Sequence, residues 1–158
     1  MRSKTANWFE CKVRYEKVME NGTEKKVTEQ YVVEALSFSE AEQRITEEMS
    51  AYISGEYEIT DVRKAPYKEV FFSDADLEDR YYKAKLQFIT IDERTDKEKR
   101  SAVIYLVQAA TLDGAVNNIN EVMGSTMIDY EKSNISETKI MDVFEYTKKE
   151  ADDGQEQE

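Results

Sequence analysis

Apolar and charged side chains alternate along the segment that follows Trp8. Every second residue from Phe9 to Tyr15 is apolar, and each residue between them is charged. This period of two is typical of a strand that is buried on one face. The pair Asn21-Gly22 accepts the positive φ angles of a tight turn. A second strand at about residues 27–36 therefore completes a predicted β-hairpin.

A helix is predicted after this hairpin. Apolar residues recur at helical spacing over residues 41–53, which is the pattern of a helix with one buried face. Ser37 and Ser39 both offer N-cap oxygens, and Glu42 stands three residues after Ser39, as a capping box requires. Two further strands complete the order ββαββ.

The same pattern occurs a second time along the chain. The alternation that begins at Trp8 begins again at Tyr81, 73 residues later. In the next strand, Tyr31 returns as Tyr105, 74 residues later. We therefore predict an α+β fold, a tandem duplication of a ββαββ unit, in which two antiparallel sheets are each covered by one helix. The duplication also predicts a pseudo-twofold relation between the copies.

The second repeat differs from the first in its turn and in its cap. Its hairpin turn is predicted to be charged and to extend from Glu93 to Lys99. Its helix is predicted to follow Asp113, which takes the N-cap position that Ser39 has in the first repeat.

The domain boundaries follow from the two copies. Residues 1–7 are expected to form an N-terminal arm, residues 8–72 the first repeat, residues 73–80 an acidic linker and residues 81–146 the second repeat. Residues 147–158 are polar and acidic, which predicts a disordered tail.

Charge narrows the choice of partners. The net charge of −12 repels nucleic-acid backbones and anionic lipids. A host or phage protein with a basic surface is therefore the expected partner, and nucleic acid is disfavoured unless a local basic patch binds it. No apolar run approaches the ~20 residues that span a bilayer, and the first residues lack the apolar core of a signal peptide. We expect a cytoplasmic protein without membrane contact.

The residue types present exclude several kinds of catalytic site. The chain has no histidine and one cysteine, Cys11, so Ser-His-Asp and Cys-His catalysis and most zinc sites are excluded. A small residue also stands at the matched position Ala84, which favours a structural role for Cys11. We expect no cofactor, no metal and no enzymatic activity. A metal-dependent hydrolase stays open as an alternative, and it would need carboxylates such as Asp61, Asp129 and Asp142 to converge.

Four residues are candidates for binding. Trp8 and Lys12 lie on the outer face of the first strand, and Tyr81 and Lys85 occupy the matched positions of the second repeat. Aromatic rings beside cations can stack on bases and neutralise phosphates. The same rings could instead pack between the lobes or at the interface of a homo-oligomer.

Three segments resemble those of a known family. These are Trp8–Val13, Tyr31–Glu42 and Lys139–Phe144, and they resemble an uncharacterised domain-of-unknown-function family of Bacteroides-type bacteria and their phages. The resemblance covers about residues 7–146. It implies an intracellular protein in a phage or mobile-element setting, and it transfers no functional residue.

We therefore expect a non-enzymatic, cytoplasmic binding protein that recognises another protein through an acidic surface or through sheet edges. One such activity is the inhibition of a host nucleic-acid-binding protein, with carboxylates in the places of phosphates. The alternatives are a single-stranded nucleic-acid accessory factor, a small-molecule binder at the seam between the repeats and the hydrolase already mentioned.

Overall fold

The computed structural model describes residues 1–146 of the chain. The predicted α+β class is confirmed, since these residues form two sheets and a helix lies against each of them. In chain order the elements are β1 (Arg2–Lys4), β2 (Trp8–Val18), β3 (Glu24–Glu34), α1 (Phe38–Tyr52), β4 (Tyr57–Lys64), β5 (Glu69–Phe72), β6 (Arg80–Asp92), β7 (Lys97–Ala109), α2 (Leu112–Gly124), β8 (Asp129–Glu137) and β9 (Ile140–Phe144). The predicted tail, residues 147–158, lies outside the described residues.

Each sheet contains strands from both repeats. The five-stranded sheet has the order β1-β5-β7-β6-β8, and the four-stranded sheet has the order β4-β2-β3-β9. β5 ends the first repeat but pairs with β7 of the second. β9 ends the second repeat but pairs with β3 of the first. The last strand of each repeat is therefore exchanged into the sheet of the other.

Both exchanged strands run parallel to their new neighbours, which corrects the expectation of purely antiparallel sheets. A short hairpin forces two strands to run antiparallel, but a strand that arrives through a longer connection is not bound in this way. The registers match: Tyr31 lies opposite Asp142, and Tyr105 lies opposite Glu69. This agreement supports the duplication, which stays a prediction together with the pseudo-twofold relation.

The chain divides into two compact units that differ from the sequence repeats. Among the described residues, one unit contains residues 1–6 and 66–139, and the other contains residues 7–65 and 140–146. Each unit has three strands and the helix of one repeat, together with the last strand of the other repeat. Neither unit consists of the residues of one repeat alone.

The expected N-terminal arm contains a strand. β1 pairs antiparallel with β5, so that Arg2 lies opposite Phe72 and Lys4 lies opposite Val70. The guanidinium of Arg2 is 4.4 Å from the centroid of the Phe72 ring. Three polar residues carry no alternation, so this strand cannot be recognised in the sequence. It forms because β5 would otherwise be the edge of its sheet.

The helices bury the apolar stripes that their spacing predicts. The buried residues are four positions apart on one face of each helix, namely Ala41, Ile45 and Met49 in α1 and Ala115, Ile119 and Met123 in α2. The first stripe packs on the alternating apolar face of β2, which includes Phe9, Cys11 and Val13. The second packs on the matched face of β6, which includes Tyr82, Ala84 and Leu86.

Ser37, one of the two candidate caps, is the N-cap of α1, and Thr111 is the N-cap of α2, two residues before the predicted Asp113. The hydroxyl of Ser37 accepts a hydrogen bond from the Glu40 N–H at 3.1 Å, and the hydroxyl of Thr111 accepts one from the Gly114 N–H at 3.0 Å. Ser39 and Asp113 therefore lie inside the first turns, where Asp113 places negative charge near the positive end of the helix dipole. The predicted capping box is wrong because the helix begins before it.

These caps can be tested by substitution. We expect Ser37→Ala to lower the free energy of unfolding by about 1 kcal/mol, because an N–H of the first turn loses its acceptor. Ser39→Ala is the matched control, and it should leave stability unchanged or raise it slightly, because alanine favours the helix interior. Urea unfolding of both variants measures the difference. A larger loss for Ser39→Ala would contradict the assignment.

Candidate binding grooves

The structure places the four predicted binding residues at different depths. Trp8 is 1% exposed and Tyr81 is 4% exposed, whereas Lys12 is half-buried and Lys85 is exposed. Buried rings do not present a face on which a base could stack. The structure thus does not form an exposed aromatic platform from these residues, and a binding role for them stays a prediction.

The backbone at both rings is held in the same way. The Trp8 carbonyl accepts a hydrogen bond from the Ala65 N–H at 2.8 Å. The Tyr81 carbonyl accepts one from the Thr138 N–H at 2.9 Å and another from the Thr138 hydroxyl at 2.8 Å. These contacts fix the start of the first strand of each repeat, which supports a structural role for the two rings.

The hairpin of each repeat extends beyond its third strand. In the first repeat, β2 pairs with β4 as far as Tyr15 and continues to Val18. In the second repeat, β6 pairs with β8 as far as Ile89 and continues to Asp92. The predicted turn at Glu93–Lys99 is too long, because β7 already begins at Lys97. Both faces of such a two-stranded ribbon meet solvent, so its charged residues show no alternation.

A groove lies beside each extended hairpin. The repeat-one groove has a volume of about 570 Å³ and is lined by Arg14, Tyr15, Glu16, Val18, Glu24, Lys26, Ser54, Gly55, Glu56, Tyr57 and Glu58. The repeat-two groove has a volume of about 660 Å³ and is lined by Ile89, Ile91, Asp96, Glu98, Asp129, Tyr130 and Glu131. Each groove lies within one compact unit.

The two grooves occupy matched positions of the repeats. At offsets of 73 or 74, the shared lining pairs are Glu16 with Ile89, Val18 with Ile91, Glu24 with Glu98, Glu56 with Asp129, Tyr57 with Tyr130 and Glu58 with Glu131. Three of these six pairs are acidic in both repeats. The fold therefore presents the same kind of acidic groove twice.

The grooves differ in charge and in apolar surface. The repeat-one groove includes the bases Arg14 and Lys26, and it has Glu16 where the repeat-two groove has Ile89. The lining of the repeat-two groove contains four carboxylates and no base. The repeat-two groove is therefore both more acidic and more apolar.

The strand register places part of the repeat-two groove on one face of the sheet. Directly opposite residues of antiparallel strands share a face, and Ile91 lies opposite Glu98. Ile89 is two residues before Ile91 and so lies on the same face. Phe88 points to the other face, where it packs against the core under α2. Ile91 is 69% exposed, so this face of the hairpin is open to solvent.

One arginine stands beside the acidic groove. Arg100 Nη1 donates to Glu131 Oε2 at 2.6 Å, and its Nη2 is 3.6 Å from Glu98 Oε1. The hydrogen bond from Arg100, aided by its charge, holds the pKa of the Glu131 carboxyl below its usual range. The Glu131 carboxylate thus stays ionised, and the charge of Arg100 partly offsets the negative charge at this end of the groove.

The first repeat also contains a polar cluster that the second lacks. The hydroxyl of Tyr15 donates to Glu29 Oε1 at 2.5 Å, and that of Tyr31 donates to the same oxygen at 3.4 Å. Lys17 Nζ is 3.8 Å from Glu29 Oε2, and the Glu29 side chain is 12% exposed. Burial, reinforced by Glu29, raises the pKa of Tyr15 to about 12. The cluster is a part-buried network whose tyrosines stay protonated.

Cys11 occupies the structural position that its match with Ala84 predicts. Its side chain is fully buried under α1. Burial raises the pKa of the thiol to about 12, and the charge of Asp61 adds to this effect. A thiol that stays protonated is a weak nucleophile and a weak metal ligand.

The carboxylates proposed for a hydrolase lie on separate strands. Asp61 is in β4, Asp129 begins β8 and Asp142 is in β9. Among residues 1–146, no group of three or more His, Cys, Asp or Glu side chains has an arrangement that could hold a metal ion. Within the same residues, no helix has the length and apolar character needed to cross a membrane.

The Tyr15 hydroxyl gives a testable pH dependence. Its pKa is about 12 in the folded protein and 10 in an unperturbed tyrosine, so the folded state holds this proton more tightly than the unfolded state. The tighter binding of this proton stabilises the folded state. We expect this stabilisation to be present below pH 10 and to be lost as the pH rises towards 12. Urea unfolding over this pH range, together with tyrosinate absorbance, measures it.

Two variants control the measurement. Tyr15→Phe should remove this part of the pH dependence. Glu29→Gln should lower the pKa of Tyr15 without restoring the ordinary value, because burial is the larger cause. An unchanged pH dependence of stability in Tyr15→Phe would show that Tyr15 does not contribute.

Comparison with known proteins identifies a family and nothing closer. No curated protein and no solved structure matches the chain. A family described as DUF4494, a domain of unknown function, matches residues 7–146. This range includes both repeats, both exchanged strands and both grooves. The chain therefore belongs to the DUF4494 family.

Proposed function

We propose that this protein is a non-enzymatic binding protein that recognises a basic region of another protein through its acidic surface, with each of the two grooves as a site of contact. The observation that carries the proposal is the repetition of the acidic groove in both repeats. Two matched grooves would allow one molecule to engage two basic segments, which raises the strength of binding by effective concentration.

The chemistry of the grooves favours a protein partner. Asp129 and Glu131 lie two residues apart on β8, a separation of about 7 Å on a strand. They form a short line of negative charge beside the apolar side chains of Ile89 and Ile91. A basic protein segment offers both cations and apolar groups, whereas a metal ion or a simple polycation uses only the charge.

The proposed setting is a bacterial cytoplasm, in a phage or mobile element of Bacteroides-type bacteria. The resemblance of the segments around Trp8 and Tyr31 supports this setting. In that setting, an acidic protein could cover the nucleic-acid-binding face of a host protein by placing carboxylates where phosphates bind. Binding of nucleic acid itself is less favoured, because the net charge is −12 and the two candidate rings are buried.

The proposal is tested with poly-lysine and a single-stranded oligonucleotide as probes. We expect poly-lysine to bind at low salt and to be released at high salt, because exposed charges are screened. The oligonucleotide should not bind. The double variant Glu98→Lys, Asp129→Lys should weaken poly-lysine binding by about tenfold, because two attractive positions become repulsive. Fluorescence anisotropy measures both probes.

The control is a variant with the same change in net charge at another site. Asp74→Lys with Asp76→Lys reverses two exposed carboxylates of the segment between β5 and β6. This variant should reduce the affinity for poly-lysine much less than the groove variant does. Equal losses in the two variants would show that net charge alone causes binding, and preferential binding of the oligonucleotide would contradict the proposal.

A further inference from the structure

The side of β6 that faces β8 is open at the end of the hairpin. The last paired residues are Ile89 of β6 and Asp129 of β8, and β6 continues through Thr90 and Ile91 to Asp92. In the described part of the chain, no strand lies beside these three residues on that side. Along an extended strand, alternate residues direct their backbone N–H and C=O groups to opposite sides of the strand. This short stretch therefore offers backbone hydrogen-bonding groups to a partner.

The edge strand next to this stretch is protected. The pairing of β8 with β6 shifts register between Lys85 and Leu86, and a bulge of this kind disrupts the regular ladder at a sheet edge. β8 also carries charged residues along its length, among them Glu131, Lys132 and Glu137. Bulges and charges are the usual protection of edges against unwanted pairing. The open stretch of β6 lies beyond both forms of protection.

The repeat-two groove runs along the open stretch. Its volume of about 660 Å³ is bordered by Ile89 and Ile91 of β6, Glu98 of β7 and Asp129 and Glu131 of β8. An incoming strand would continue the position of β8 in the sheet. Alternate side chains of that strand would then meet the apolar residues and the carboxylates on one face.

We infer that the repeat-two groove binds an extended basic segment of a partner protein by strand addition to the Thr90–Asp92 edge of β6. The inference rests on the proposed function and names the mode of binding. Backbone hydrogen bonds supply affinity in this mode, and alternate side chains supply specificity. The segment that fits has lysine or arginine facing Glu98 and Asp129 and an apolar residue against Ile91.

The fold already contains a contact of this kind. β1 is a strand of three residues, Arg2, Ser3 and Lys4, that adds to the edge of β5. Its first residue places a guanidinium over the ring of Phe72. A short basic segment can thus complete an edge of this same sheet, and the open stretch of β6 has the same length of three residues.

The repeat-one groove is the less suitable of the two. Arg14 and Lys26 in its lining offset part of the charge of its four carboxylates and so weaken its attraction for a basic segment, and Glu16 replaces the apolar Ile89. The exposed apolar residue is retained, since Val18 is 65% exposed and matches Ile91 at 69%. This pair provides matched positions for substitution with similar exposure in the two repeats.

The experiment uses the full chain and a synthetic peptide of alternating lysine and valine. We expect the peptide to slow hydrogen exchange of the outward-facing amides within residues 90–92 by at least about tenfold, because strand addition hydrogen-bonds them. Ile91→Lys should lower the affinity for the peptide by about tenfold. Val18→Lys should lower it by less than about threefold, although both substitutions add the same charge. The same peptide with alternate backbone nitrogens methylated keeps its charge and should lose most of its affinity.

The outcomes separate this inference from the proposed function. Salt-sensitive binding of the peptide without protection of residues 90–92 would overturn strand addition and leave the proposed function standing. Failure of both the peptide and poly-lysine to bind would overturn both. The amides of residues 90–92 could also become protected from hydrogen exchange without peptide, to an extent that rises with protein concentration. That result would assign the edge to a second copy of the chain and overturn the inference.

Discussion

The exchange of the last strands is the interaction on which both sheets depend. β9 covers the side of β3 that would otherwise be an edge, and β5 does the same for β7. Their apolar residues Val143 and Val70 are buried, opposite Val32 and Leu106. Removing either strand would expose these apolar side chains and leave the backbone groups of a central strand without partners. Each unit therefore needs a strand from the other repeat.

The repeats share the apolar core of their fold and differ in the polar residues of the hairpins and grooves. The apolar stripes of the two helices are conserved between the repeats, whereas Tyr15 and Glu29 of the first correspond to Phe88 and Val103 of the second. One repeat thus places a polar network where the other places apolar packing. The grooves differ in the same way, because Glu16 of the first corresponds to Ile89 of the second. A duplicated scaffold allows one copy to change while the other maintains the fold.

The edges of the sheets connect the fold with the proposed function. β4 and β8 each pair through a bulge at the matched position, after Lys12 and after Lys85. Each bulge interrupts the regular backbone ladder of its edge strand, whereas the stretch of β6 beyond Ile89 carries no such interruption. At that place the repeat-two groove adds carboxylates and the exposed side chain of Ile91. The combination gives the surface both charge and backbone complementarity for an extended basic segment.

The sequence by itself determined the α+β class, the order of elements and the buried faces, because strands and helices show their own periods of apolar residues. The residues Ala41, Ile45 and Met49 could be assigned to a core from spacing alone. Tertiary structure decided the strand exchange, β1, the burial of Trp8 and the grooves. Alternation tells which side of a strand is buried, but it does not tell which strand lies beside it or in which direction. Ile91 and Asp129 are distant in sequence, and only their common sheet brings them into one groove.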